Sequence, residues 1–112
     1  MSFISWEDFQ KVEFRLGTII NAEDFPKARN PAYILHVDFG EELGVKKSSA
    51  QITVNYQKQD LIGKQVMAVV NFPPKQIGSI MSECLVTGFY KEDGSVILAV
   101  PDKPVTNGAK LG

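Results

Sequence analysis

Residues 66–89, VMAVVNFPPKQIGSIMSECLVTGF, constrain this 112-residue chain more than any other stretch. Val66 to Val70 is apolar at every position, and side chains on a strand alternate between faces, so a strand here must be covered on both sides. Asn71-Phe72-Pro73-Pro74 interrupts the run, Lys75 follows, Gly78-Ser79 loosens the chain, and Leu85 to Phe89 returns as a second apolar run. Two buried strands would thus flank a loop stiffened by the fixed φ of two prolines, with Lys75 presented at its tip. Such a loop is either a plain connection between core strands or a rigid binding element.

The rest of the chain follows a β pattern. Val12, Phe14, Leu16, Thr18 and Ile20 alternate with Glu13, Arg15, Gly17 and Ile19, which predicts a strand with that first set facing inward. Gly17 in its middle predicts a bulge or sharp bend. Tyr33, Leu35, Val37 and Phe39 alternate against Ile34, His36 and Asp38 and predict a second strand ending at Gly40. A polar third strand is expected over residues 45–54, and Asn55 is placed to cap a short helix over residues 56–61, closed by Gly63. The fourth and fifth strands are the runs 66–72 and 85–89. Glu92-Asp93-Gly94 predicts a hairpin turn into an extra C-terminal strand over 95–100, and Asn107-Gly108 one further turn. Near the N-terminus, Ser5 with Asp8 three residues on predicts a short capped helix, although a capping box prefers Glu or Gln there. Its Phe3, Trp6 and Phe9 would share one apolar face, against either the domain itself or a second subunit. The expectation is an all-β domain over 1–112: a five-stranded OB-type Greek-key barrel with short flanking helices, although periodicity alone allows another small barrel.

Composition narrows the function. At 44% hydrophobic and 22% charged residues the chain is of ordinary globular type. No apolar run is long enough to insert in a membrane, and the N-terminal segment with Glu7 and Asp8 lacks the basic start of a signal peptide, so a cytoplasmic setting is expected. One cysteine, Cys84, and one histidine, His36, give no disulfide and no metal cluster, and no cofactor is expected. His36 and Asp38 share a strand face, a pair with no nucleophile around it, and Glu83 beside Cys84 would raise its thiol pKa. No catalytic residue is assigned; the pattern is that of a binding protein. Net charge is -1, yet residues 43–82 hold five lysines against Asp60 alone. One local cationic surface is compatible with that distribution. Phe72, Pro73, Pro74, Ile77, Ile80 and Met81 make an apolar loop that would either bind polypeptide or fill a core or dimer seam.

Several segments resemble the tRNA-binding domain found in synthetase appendages and free-standing tRNA-binding dimers: Phe14-Arg15-Leu16-Gly17-Thr18-Ile19, Phe25-Pro26-Lys27-Ala28-Arg29, Val37-Asp38-Phe39-Gly40-Glu41, and Val70-Asn71-Phe72-Pro73-Pro74-Lys75 with Gly78 and Ser82-Glu83. Residues 28–33, 48–53, 71–75 and Pro101-Asp102 resemble the CsaA-type secretion chaperones more closely. The resemblance implies an OB fold, a homodimer with terminal segments in its interface, no catalysis, and binding of unfolded or precursor polypeptide for export. It departs from the tRNA-binding pattern at Phe25, where that family has histidine; at Ser49-Ala50-Gln51, where it often has Ser-Gly; and at Phe72-Pro73-Pro74, one lysine fewer. These departures favour the chaperone over a tRNA-binding protein, the alternative reading. On this reading Phe72, Ile77, Ile80 and Met81 bind peptide. Lys27, Arg29, Asn30, Asn71, Lys75 and Ser82 would contact tRNA, and Phe3, Trp6 and Phe9 would form the dimer interface.

Overall fold

The computed structural model describes residues 1–112. Ser5 caps helix α1 (Trp6–Gln10) reciprocally: its hydroxyl accepts the Asp8 N–H at 3.0 Å, and Asp8 Oδ2 accepts the Ser5 N–H at 3.3 Å. Aspartate therefore closes the box that the sequence favoured Glu or Gln for. Strand β1 (Phe14–Asp24) pairs antiparallel with both β2 (Tyr33–Asp38) and β4 (Gln65–Val69). Strand β3 (Val45–Ala50) lies on the far side of β2, and β7 (Leu85–Val86) beside β4, giving the order β3-β2-β1-β4-β7. The sheet curls until its edges meet. Glu83 N–H donates to the Lys47 carbonyl at 2.8 Å, Lys47 N–H donates to Glu83 Oε1 at 3.0 Å, and Ser49 N–H donates to Ser82 Oγ at 3.2 Å. The result is the expected five-stranded antiparallel barrel, nearly closed.

Strand β2 behaves as its alternation requires: Tyr33, Leu35, Val37 and Phe39 are buried in the barrel with Ile19, Leu61, Val66, Ala68 and Leu98. Strand β1 differs from expectation: Ile19, placed with the outward set, is fully buried in the barrel. Ile19 pairs with Val37 and Asn21 with His36, so Ile20 is the extra residue of a bulge and points to solvent. Gly17 sits before that bulge, where the backbone is approached by Val37 and Phe39; a Cβ on it would lie 2.5 Å from Val37 Cγ1. The face carrying Phe14, Leu16 and Thr18 is not the barrel interior. It is covered by the C-terminal segment, which pairs with β1 where β2 does not: Leu16 N–H donates to the Ala109 carbonyl at 2.9 Å and Leu111 N–H to the Phe14 carbonyl at 3.1 Å. Thr18 Oγ1 meets Asn107 Oδ1 at 2.6 Å. Val12, also expected inward, is exposed.

The 66–89 stretch divides in two respects. β4 is buried on its inner face through Val66 and Ala68, while on its outer face Val69 is buried and Met67 only half-buried, short of the two-sided cover its apolar run demanded. The connecting loop, however, is itself a hairpin, β5 (Lys75–Ile77) with β6 (Ile80–Ser82), turning at Gly78 with φ +56°. The second apolar run breaks at Thr87 into β7 and β8 (Gly88–Tyr90), and Leu85 and Phe89 lie exposed rather than in the core. β8 pairs with β9 (Val96–Leu98) across the expected Asp93-Gly94 turn. Two smaller expectations also shift. α2 spans Lys58–Leu61 and starts after Gln57, because the Asn55 side chain instead donates to the Val96 carbonyl at 3.1 Å. β3 stops at Ala50, four residues short.

Candidate binding groove beside the hairpin

The register of β5 with β6 sets Lys75 opposite Ser82, Gln76 opposite Met81 and Ile77 opposite Ile80. Since side chains alternate along a strand, Lys75, Ile77, Ile80 and Ser82 share one face and Gln76 and Met81 the other. The first face borders a groove of about 310 Å³ between the hairpin and the seam where β3 meets β7. Phe72, Pro73, Ile77 and Leu85 form its apolar wall, with Ser49, Lys75, Ser82 and Cys84 completing the lining. Phe72 is 55% exposed, an unusual state for a phenylalanine held between a barrel strand and two prolines. Of the residues assigned to peptide binding, the structure thus brings Phe72 and Ile77 together, leaves Ile80 beside them outside the lining, and turns Met81 away, 44% exposed on the opposite face.

The residues assigned to tRNA divide as well. Lys27, Arg29 and Asn30 lie exposed in the loop before β2, and Lys75 is exposed at the base of the hairpin. None of the three cations takes part in an ion pair. The loop packs on the hairpin turn through buried Phe25, whose Cζ would be 3.1 Å from a Cβ on Gly78. Asn71 is different. Its side-chain nitrogen donates to the Lys11 carbonyl at 2.7 Å and its oxygen accepts the Glu13 N–H at 3.0 Å, so its amide ties the end of α1 to the end of β4. Ser82 Oγ accepts from Ser49 N–H and donates to the Cys84 carbonyl at 3.4 Å, and so helps close the barrel. Both side chains are engaged within the fold rather than offered to a ligand.

The histidine does not pair with Asp38, its strand-face neighbour. His36 Nε2 lies 3.1 Å from Glu23 Oε2 across the β1–β2 ladder, while Asp38 Oδ1 accepts the Gly40 N–H at 2.9 Å. Cys84 is buried at the groove floor; burial, and then the charge of Glu83, push its thiol up to about 12. A thiol held protonated lines the groove as a small apolar group.

A second groove, of about 330 Å³, lies on the outer face of β1 and β4. Leu16, Met67, Phe89, Val100, Val105 and Leu111 supply most of its wall. Phe3 is 98% and Trp6 64% exposed, while Phe9 is partly covered, its ring centroid 6.2 Å from that of Phe14. The apolar N-terminal face therefore finds only part of its cover on its own chain.

Sequence reasoning missed Leu85, Ser49 and Cys84 as groove residues, and the hairpin itself. Two residues, Gly78-Ser79, between Ile77 and Ile80 were the available signal for a tight hairpin turn.

A nearly closed antiparallel barrel with a mixed apolar and cationic groove at its seam defines a binding domain of OB type. The family described as "Putative tRNA binding domain" matches residues 14–110. The crystal structure of the chaperone CsaA from Bacillus anthracis superposes with a TM-score of 0.93 at 49% identity, over 99% of this chain and 100% of that one. For the CsaA chaperone protein of Picrophilus torridus the values are 0.92 and 48%, over 98% and 100%. Methionine–tRNA ligase of Pyrococcus horikoshii is 36% identical over 112 residues, 99% of this chain. This chain spans only 15% of that ligase's length. The chain belongs to the tRNA-binding-domain family, and within it to the CsaA type.

Proposed function

We propose that the protein is a homodimeric chaperone that holds unfolded or precursor polypeptides for export in a cytoplasmic setting, and has no catalytic activity of its own. The observation that carries this reading is the groove at the hairpin, where Phe72 stands exposed beside Pro73, Ile77 and Leu85. An exposed aromatic over an apolar wall suits large apolar side chains presented by an unfolded chain. Each such side chain contributes roughly 1.5–3 kcal/mol when buried, and ordering the segment offsets much of it. The expected affinity is modest and exchange rapid, which is what holding without trapping requires. Similarity over the whole chain to two CsaA chaperones supports the same reading.

Dimerisation is supported by the exposed Phe3 and Trp6 and by the second groove, where residues of β1, β4, β8 and the C-terminal segment meet. A two-fold axis would bury the same apolar patch on both subunits. A tRNA-binding role is the second reading; the family match and the unpaired Lys27, Arg29 and Lys75 favour it.

Suppression of a denatured client's aggregation tests the groove. Phe72→Ser is expected to weaken client binding roughly ten- to hundredfold, the equivalent of one buried apolar side chain. Met81→Ser, on the opposite face, should retain it. Full suppression by a folded Phe72→Ser protein would remove the groove from the reading.

A further inference from the structure

We propose that RNA and polypeptide exclude one another on this protein, because the cation nearest the polypeptide groove is one that would also hold an RNA backbone. This rests on the groove reading above and concerns its regulation. Lys75 lines the same groove as Phe72, Ile77 and Ser49, and the β5–β6 register turns it to the same face as Ile77. At about 310 Å³ the groove lies at the small end of ligand-sized pockets, roughly 300–1,000 Å³, so one occupant fills it. Lys75 has no carboxylate partner, which leaves its charge available to a phosphate.

Two further unpaired cations, Lys27 and Arg29, stand at the far end of the same hairpin. Phe25 packs against Gly78 at the turn and so fixes the loop that carries Lys27 and Arg29 relative to the strands. From that turn to Lys75 the hairpin runs three residues, about 10 Å at strand rise. A phosphate chain held by Lys27, Arg29 and Lys75 together must cross the hairpin and end over the groove mouth. A polypeptide seated against Phe72 and Ile77 covers Lys75 in turn. Two ligands thus share one lysine and one opening. The contacts differ in kind, however: phosphate pairing is screened by salt, and apolar burial is not. Ionic strength should therefore set which ligand prevails.

The test uses the full chain, a fluorescent apolar peptide as client and unfractionated tRNA as competitor. At low salt, tRNA is expected to raise the apparent Kd of the peptide in proportion to its concentration. As salt rises the competition should fade while peptide binding persists. A Lys27→Ala, Arg29→Ala protein should need severalfold more tRNA for the same displacement. Peptide affinity unchanged at saturating tRNA, or a ternary complex in sedimentation, would overturn mutual exclusion. Failure of the peptide to bind even without tRNA would instead overturn the chaperone reading of the groove, and exclusion with it.

Discussion

At position 17 the chain has room for a hydrogen and nothing larger. A Cβ there would lie 2.5 Å from Val37 Cγ1 and 2.8 Å from the Phe39 ring, closer than any relaxed contact. Glycine is needed for that approach, not for a left-handed backbone, since its φ is not positive. Gly17→Ala should therefore destabilise the fold by overpacking, about 1–3 kcal/mol in urea titration. Cys84 illustrates the opposite control, exerted by burial on chemistry. With its thiol pushed up to about 12, it stays protonated where an ordinary thiol, near 8.5, is half ionised. Iodoacetamide should label the native protein very slowly at about pH 8.5 and the unfolded one readily. The sign for stability follows. Between the ordinary value and the raised one the unfolded chain has lost the proton and the native chain keeps it, so stability falls as pH rises through that window.

Among elements, the C-terminal segment is held to β1 by a small charge network. Glu13 accepts from Arg15 Nε at 2.8 Å and lies 3.8 Å from Lys110 Nζ, while Arg15 Nη1 donates to the Gly108 carbonyl at 2.9 Å. The hydrogen bond from Arg15 is the main reason the Glu13 carboxyl sits below its usual value, with the charge of Lys110 adding to it. A carboxyl depressed in the folded state contributes stability above its unfolded pKa and loses it as pH falls through the lowered value. Acid should accordingly loosen the segment first. Amide exchange at Leu16 and Leu111, which bond across this junction, should speed up on acidification relative to β2 amides. Glu13→Gln should show the faster exchange already at neutral pH and lose the acid dependence.

For the whole molecule, the untended surface is the apolar one at the termini. Phe3 is almost wholly exposed, Trp6 meets only Phe9, with ring centroids 5.3 Å apart, and the groove on β1 and β4 is uncovered in turn. Sedimentation at micromolar concentration is expected to give a dimer. Trp6 is the single tryptophan, so its emission should shift to the blue as dimer forms. A monomer with solvent-like Trp6 emission would show that these faces do not pair with each other.

What the sequence determined by itself was local. Strict alternation over residues 33–39 assigned the inner face of β2, because a period of two is a property of the strand alone. The apolar run at 66–70 required a strand, although Met67 on its outer face is only half-buried, and Asp93-Gly94 required a turn. The family was legible too, in motifs spread along nearly the whole chain. Tertiary structure decided what depends on partners distant in sequence. Where the barrel bulged, at Ile20 rather than Gly17, was settled by the pairing of β1 with β2. What pairs with β1 at the outward-facing Leu16 was settled by a segment more than ninety residues away, through Gly108 and Ala109. Asn71 looked like a ligand contact until Lys11 and Glu13, in the link from α1 to β1, supplied two backbone partners for its amide. Phe72 and Lys75, assigned to separate ligands, came to line one groove because the β5–β6 register and the β3–β7 closure met there. Register and closure are sums over many cross-strand contacts, and no window of neighbouring residues contains them.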